Sequence, residues 1–247
     1  MVPDLSRNVN GATATPQRLQ KGNPGLSRKP RLLCKGTNEA PEAPSRMNRI
    51  GSYAGLLAAL WALLVTVIGG AFSPGYSHAS QYISELGARG APFQNIVNFG
   101  GFLPTGMAVL VFLIAGRRYL APSPLSKLGV FLLFGVSAGY TVAAFAPCDP
   151  GCPSVGSEVQ ALHNLGGLLE YLGGSFGLLI LGYSYRHLRP QLSIMSIRVA
   201  FIVLLSFFLM ATMGDLRGLW QRVAEVGLFS WIAYVSAASL RQISETS

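Results

Sequence analysis

Charge is what this 247-residue chain has least of: Asp, Glu, Lys and Arg make up 12% of it, against about 25% in an average soluble domain. That shortage excludes an ordinary water-soluble globule. Cysteine is scarce too, at three residues, and the one close pair, Cys148 and Cys152, leaves a four-ligand structural zinc site two cysteines short. No HExxH, Walker A or dinucleotide fingerprint occurs, so none of the chemistries those motifs carry is announced. What is present is apolar: 50% of residues are hydrophobic, 29 are glycine, and the mean hydropathy is +0.41. Composition therefore points to a single membrane-embedded unit.

The formal net charge of +9 is unevenly spread. Residues 1–46 hold eight Lys/Arg and three Asp/Glu, a net +5, and the rest of the chain carries +4. The 1–46 segment is rich in Pro, Gly, Ser, Thr, Asn and Gln and reads as disordered, because it buries too little surface to offset chain entropy. Two readings of it compete: a basic strip lying on an anionic leaflet, or sequence upstream of a true start at Met47. Its charges are dispersed and Phe, Tyr and Trp are absent from it, which excludes nucleic acid as a partner. Cys34 lies in it without an obvious partner.

Residues 47–247 predict an all-α polytopic bundle. Six stretches are apolar over the roughly 20 residues that a bilayer crossing takes: about 50–72, 93–115, 125–146, 162–185, 194–213 and 219–240. The first is too long for a signal-peptide core and is read as a retained helix. Six spans put both termini on one face. That face also collects Arg117, Arg118, Lys127, Arg186, Arg189 and Arg198, so the positive-inside rule makes it cytoplasmic and the protein a multi-pass protein of the cell membrane. Gly51/Gly55, Gly135/Gly139 and Gly173/Gly177 stand four apart within spans, where small residues let helices approach closely. A tight bundle with a central fourth helix is the first reading; a homo-oligomer packed through glycine faces is the second. Membrane lipids are the expected surroundings.

The opposite face gathers the polar groups. Its first loop, SPGYSHASQYISELGARGAP, holds His78, Tyr82, Ser84 and Glu85; its second, APCDPGCPSVGSEVQ, holds Cys148, Asp149 and Cys152. A Pro-Gly turn between the two cysteines favours a local disulfide, with free thiols next and a metal pair last. His163 and Glu170 stand seven apart on one helix stripe, and an intramembrane carboxylate is a functional hypothesis by default. The alternative pairs Glu170 with His163 or Arg222 for structure alone. In MGDLRGLWQRVAEVG, Asp215, Arg217, Arg222 and Glu225 bring two charges of each sign. The arginines suit a lipid phosphate or another anion, or else close a salt-bridge network in which Arg222 pairs with Glu225.

The segment QYISELGARGAPFQNIVNFGG, the Pro-Cys-Asp element, the pair His163 and Asn164, and GLWQRV together resemble the domain of unknown function 998 family. These are small bacterial and archaeal membrane proteins of about six helices, and the resemblance spans about 50–240. ISELG is also similar, more weakly, to an element of DRAM/FRAG-type membrane proteins. Both resemblances imply architecture and supply no reaction or cofactor. Three functions remain open: an enzyme acting on a lipid, with His78, Ser84, Glu85, Asp149, His163 and Glu170 as acid/base or ligand groups and Tyr82, Asp215, Arg217 and Arg222 binding substrate; a transporter or binder of a small amphiphile; and a structural membrane protein.

Overall fold

The computed structural model describes residues 46–245; the expectations for residues 1–45, Cys34 included, fall outside them. The described residues are helical and contain no strand: α1 (Arg46–Phe72), α2 (Leu103–Ala115) entered through a π turn (Ile96–Phe102), α3 (Arg117–Leu120), α4 (Pro124–Phe145), α5 (Glu158–Tyr185), α6 (Pro190–Thr212) and α7 (Arg217–Glu245). Short 3₁₀ turns occupy Ile83–Gly87 and Gly214–Leu216.

Local chemistry sets several of these limits. Ser123 accepts from the Ser126 amide at 3.1 Å ahead of Pro124, and Ser157 accepts from the Gln160 amide at 3.2 Å, so α4 and α5 start on hydroxyl caps. Pro104 has no N–H to return to the Gly100 carbonyl. Trp61 Nε1 of α1 donates to that carbonyl at 2.8 Å instead, which ties the π turn to α1. The fifth helix begins at Glu158 rather than near 162, so Glu170 stands more than three turns in, about 18 Å at about 1.5 Å per residue. The last helix starts at Arg217, which places Arg217 and Arg222 on its first two turns.

Six helices are long and apolar enough to cross a membrane. Each packs on its neighbour in the chain, and α7 closes on α1, so the bundle is a ring. The fourth span is a member of that ring rather than its centre, because it packs on α4 and α6, and Gly173 and Gly177 face α4. A Cβ at Gly135 would overlap the Leu169 carbonyl, one at Gly173 would come within 2.7 Å of the Leu132 carbonyl, and one at Gly177 within 2.8 Å of the Gly129 carbonyl. Gly51 and Gly55 likewise meet α2 and α7, so the spaced glycines serve contacts within one chain. Leu57, Leu60, Leu63, Phe131, Phe201, Leu205 and Phe208 point outward and are exposed. A belt of that size has no place in water and suits lipid. The chain is a multi-pass membrane protein.

Candidate functional site

The polar residues of the 73–95 connection converge on the start of α7. Gly218 has no room for a Cβ because the Gln81 backbone lies against it, and the Leu219 amide donates to the Ala79 carbonyl at 2.9 Å. This close approach delivers two arginines to the connection. Arg217 donates to the Ser80 carbonyl at 3.0 Å and to Glu85 Oε1 at 3.1 Å, and lies over the Tyr82 ring. Glu85 also accepts from the Tyr82 amide and from Gln81, both at 3.0 Å. Its carboxylate is fully engaged in holding the 3₁₀ turn.

Arg222 reaches the same connection one turn deeper. It donates to the Tyr76 hydroxyl at 2.6 Å, the Gly218 carbonyl at 2.8 Å, the Gln81 carbonyl at 3.1 Å and His78 Nδ1 at 3.1 Å. All four acceptors are neutral groups, so among the described residues the guanidinium charge has no carboxylate partner. The expected pairing with Glu225 is absent: Arg222 stretches toward the loop carbonyls while Glu225 turns into the bundle. Burial and then the Arg222 cation lower the His78 pKa below its ordinary value. Burial raises that of the Tyr76 hydroxyl, with Arg222 opposing it.

Below this layer lies a carboxyl pair. Glu225 accepts from the hydroxyls of Tyr171 at 2.7 Å and Tyr140 at 2.9 Å, and Glu170 stands with it in the wall of one small cavity. Gln221 donates to the Tyr171 hydroxyl at 3.0 Å and accepts from the Ile83 amide at 2.6 Å, which links the pair to the 3₁₀ turn. Helices α4, α5 and α7 each supply part of this cluster. His163 does not pair with Glu170; its Nδ1 lies 2.9 Å from the Ala146 carbonyl.

Two spaces adjoin the cluster. A polar cavity of about 50 Å³ is walled by Ser84, His163, Glu170, Tyr171, Gln221 and Glu225 among others. A half-open cleft of about 400 Å³ runs between α1 and α7, lined by Leu56, Leu60, Leu63, Val226 and Phe229, with Arg222, Glu225 and Tyr140 also in its wall. Glu225, Tyr140 and Ile83 border both.

The remaining residues singled out from sequence sit around this centre. Cys148 and Cys152 are joined as a disulfide; Ser84 Oγ lies 3.5 Å from Cys152 Sγ, against the wall of the small cavity. His163 also approaches the two sulfurs, its ligand atom and theirs lying within 4.8 Å of one another, but sulfurs bonded to each other are not thiolate ligands. Asp149 accepts from the Ser157 amide at 2.8 Å, the Ser157 hydroxyl at 2.9 Å and Arg89 at 3.3 Å. Those Ser157 bonds, the backbone one first, hold its carboxyl below the usual range, and its part is to secure the start of α5. Asp215 is exposed in its 3₁₀ turn. Tyr82 donates to the Met210 carbonyl at 3.3 Å and links the connection to α6.

Sequence reasoning missed Tyr140, Tyr171, Gln221 and Tyr76, and placed Glu225 in the wrong partnership. The available signal was thin: hydroxyls inside apolar spans, and Gln221 and Glu225 four apart on one helix face. A family model described as protein of unknown function (DUF998) matches residues 56–238. No curated protein and no solved structure matches the chain.

Proposed function

The chain belongs to the DUF998 family, and from the two spaces at its polar end we propose that it binds an amphiphile with an anionic headgroup, drawn from the leaflet beside α1 and α7. The observation that carries this reading is the α1–α7 cleft: apolar along its length, half-open, and bordered by a guanidinium that no carboxylate neutralises. Apolar walls with few convergent polar groups are the usual form of a small-molecule site. An acyl chain fits the walls, and a phosphate or carboxylate head is the group that an unmatched arginine favours.

The distribution of basic residues supports an orientation as well. Arg117, Arg118, Lys127, Arg186 and Arg189 lie at the end opposite the site, so the positive-inside rule assigns that end and both termini to the cytoplasm of a cell membrane, and the cleft to the outer leaflet.

Native mass spectrometry of the full chain released from phosphatidylglycerol nanodiscs tests the reading. One lipid adduct is expected to persist on the wild type. Arg222→Gln, which removes the cation, should lower its occupancy about tenfold, equivalent to one lost charge-assisted hydrogen bond, and Ala59→Phe should lower it by filling the cleft. Equal adducts on all three proteins would sink it.

A further inference from the structure

One carboxyl buried in the bundle has an oxygen with no hydrogen-bond partner among the described residues. Glu170 is only 7% exposed, its Oε1 has no hydrogen-bond partner, and the residue lines the cavity of about 50 Å³ described above. Its neighbour in the cavity wall is Glu225. Carboxylate oxygens only accept, so two carboxyls side by side need at least one proton between them, and with one shared proton the pair carries one negative charge. Among the described residues, no base neutralises that charge. Arg222 on α7 turns away from the pair to His78, Tyr76 and two carbonyls, and His163 on α5 bonds to the Ala146 carbonyl. The other titratable groups facing the pair, Tyr140 from α4 and Tyr171 from α5, are hydroxyl donors to Glu225.

The cavity wall offers what a positive ion needs. Ser84, Tyr171 and Gln221, whose side chains carry oxygen, line the same space as Glu170, and oxygen is the ligand hard cations take. Gly139 keeps the carboxyl in place by having no side chain: a Cβ there would come within 2.6 Å of Glu170 Oε2. The volume admits an ion or a methylammonium-sized group and excludes a whole lipid head. A single negative charge matches a single positive one, since a buried charge without a counter-ion is costly.

We propose that this cavity binds one small monovalent cation, an alkali ion or a primary ammonium group, on the Glu170–Glu225 carboxyl pair. The proposal goes beyond amphiphile binding and holds whether or not the α1–α7 cleft is occupied.

The test is thermal unfolding of the full chain in a zwitterionic detergent, titrated with sodium, potassium or methylammonium chloride against N-methylglucamine chloride at constant ionic strength. A saturable rise in Tm with at least one of the three is expected, and its identity separates the alkali ion from the ammonium group. Glu170→Gln should abolish the rise, Ser84→Ala should move its midpoint at least tenfold, and Arg222→Gln should leave it in place. A flat wild-type titration with all three cations overturns the proposal, as does an unchanged rise in Glu170→Gln. If Glu170→Gln does not fold, an unmoved midpoint in Ser84→Ala overturns it equally. A wild type that keeps no lipid adduct but shows the cation response would refute amphiphile binding alone.

Discussion

Glu85 and Glu170 carry the same functional group in the same half of the molecule, and their neighbours give them opposite parts. Glu85 takes bonds from Arg217, Gln81 and the Tyr82 amide, which commits it to holding a turn. Glu170 keeps one oxygen free inside the bundle. His78 is the residue whose part depends on pH, because its Nδ1 accepts from Arg222 and accepts nothing once protonated. Its pKa is lowered in the fold, by burial and then by Arg222, so the unfolded chain takes up its proton first. The stability it contributes is full above the unfolded value of about 6.5 and declines as pH falls through that value toward the lower folded one. Tm measured from pH 8 to pH 5 should therefore fall more steeply for the wild type than for His78→Gln, whose amide oxygen still accepts. Identical slopes would contradict the assignment.

At the scale of elements, glycine decides which helices touch. The α4–α5 interface is built from backbone meeting backbone at Gly135, Gly139, Gly173 and Gly177, and without a hydrophobic drive in lipid such close approach is what holds helices together. Gly135→Ala forces α4 off the Leu169 carbonyl and should destabilise the bundle by about 1–3 kcal/mol, the usual cost of overpacking. Gly167→Ala meets nothing within 4 Å and should be neutral or slightly stabilising, since alanine is the better helix former. Thermal unfolding of the two variants side by side checks the contrast; equal losses would mean that α5 does not dock on α4 through Gly135. Pro104 works the same way at the π turn, freeing a carbonyl that Trp61 then claims.

For the whole molecule, the ring of six helices gathers the candidate site at one end and Arg117, Arg118, Lys127, Arg186 and Arg189 at the other. Maleimide labelling of intact cells reads the orientation directly. Ser154→Cys, exposed on the site end, should react with a membrane-impermeant reagent, whereas His187→Cys, exposed at the basic end, should react only after permeabilisation. The reverse pattern would put the cleft in the inner leaflet. Closure of α7 on α1 gives the cleft its two walls, and α1 and α7 are the first and last long helices of the described chain.

Much of this was legible in the residues themselves. Apolar runs of membrane length fix six helices because the bilayer leaves an exposed backbone no other partner, and glycines four apart announce close packing, since spacing along a helix is spacing on a face. The weakness of sequence lay in partners. Arg222 and Glu225 stand three apart and looked like an ion pair, yet one reaches the 73–95 connection and the other shares a cavity wall with Glu170 of a different helix. Tyr140 and Tyr171 belong to the site only because α4 and α5 turn their hydroxyls to the same carboxylate. Sequence by itself determined the solvent of each segment, because transfer from water to lipid depends on local composition. Tertiary structure alone decided which scarce charges are satisfied, because a hydrogen bond depends on the distance between atoms that the chain keeps tens of residues apart.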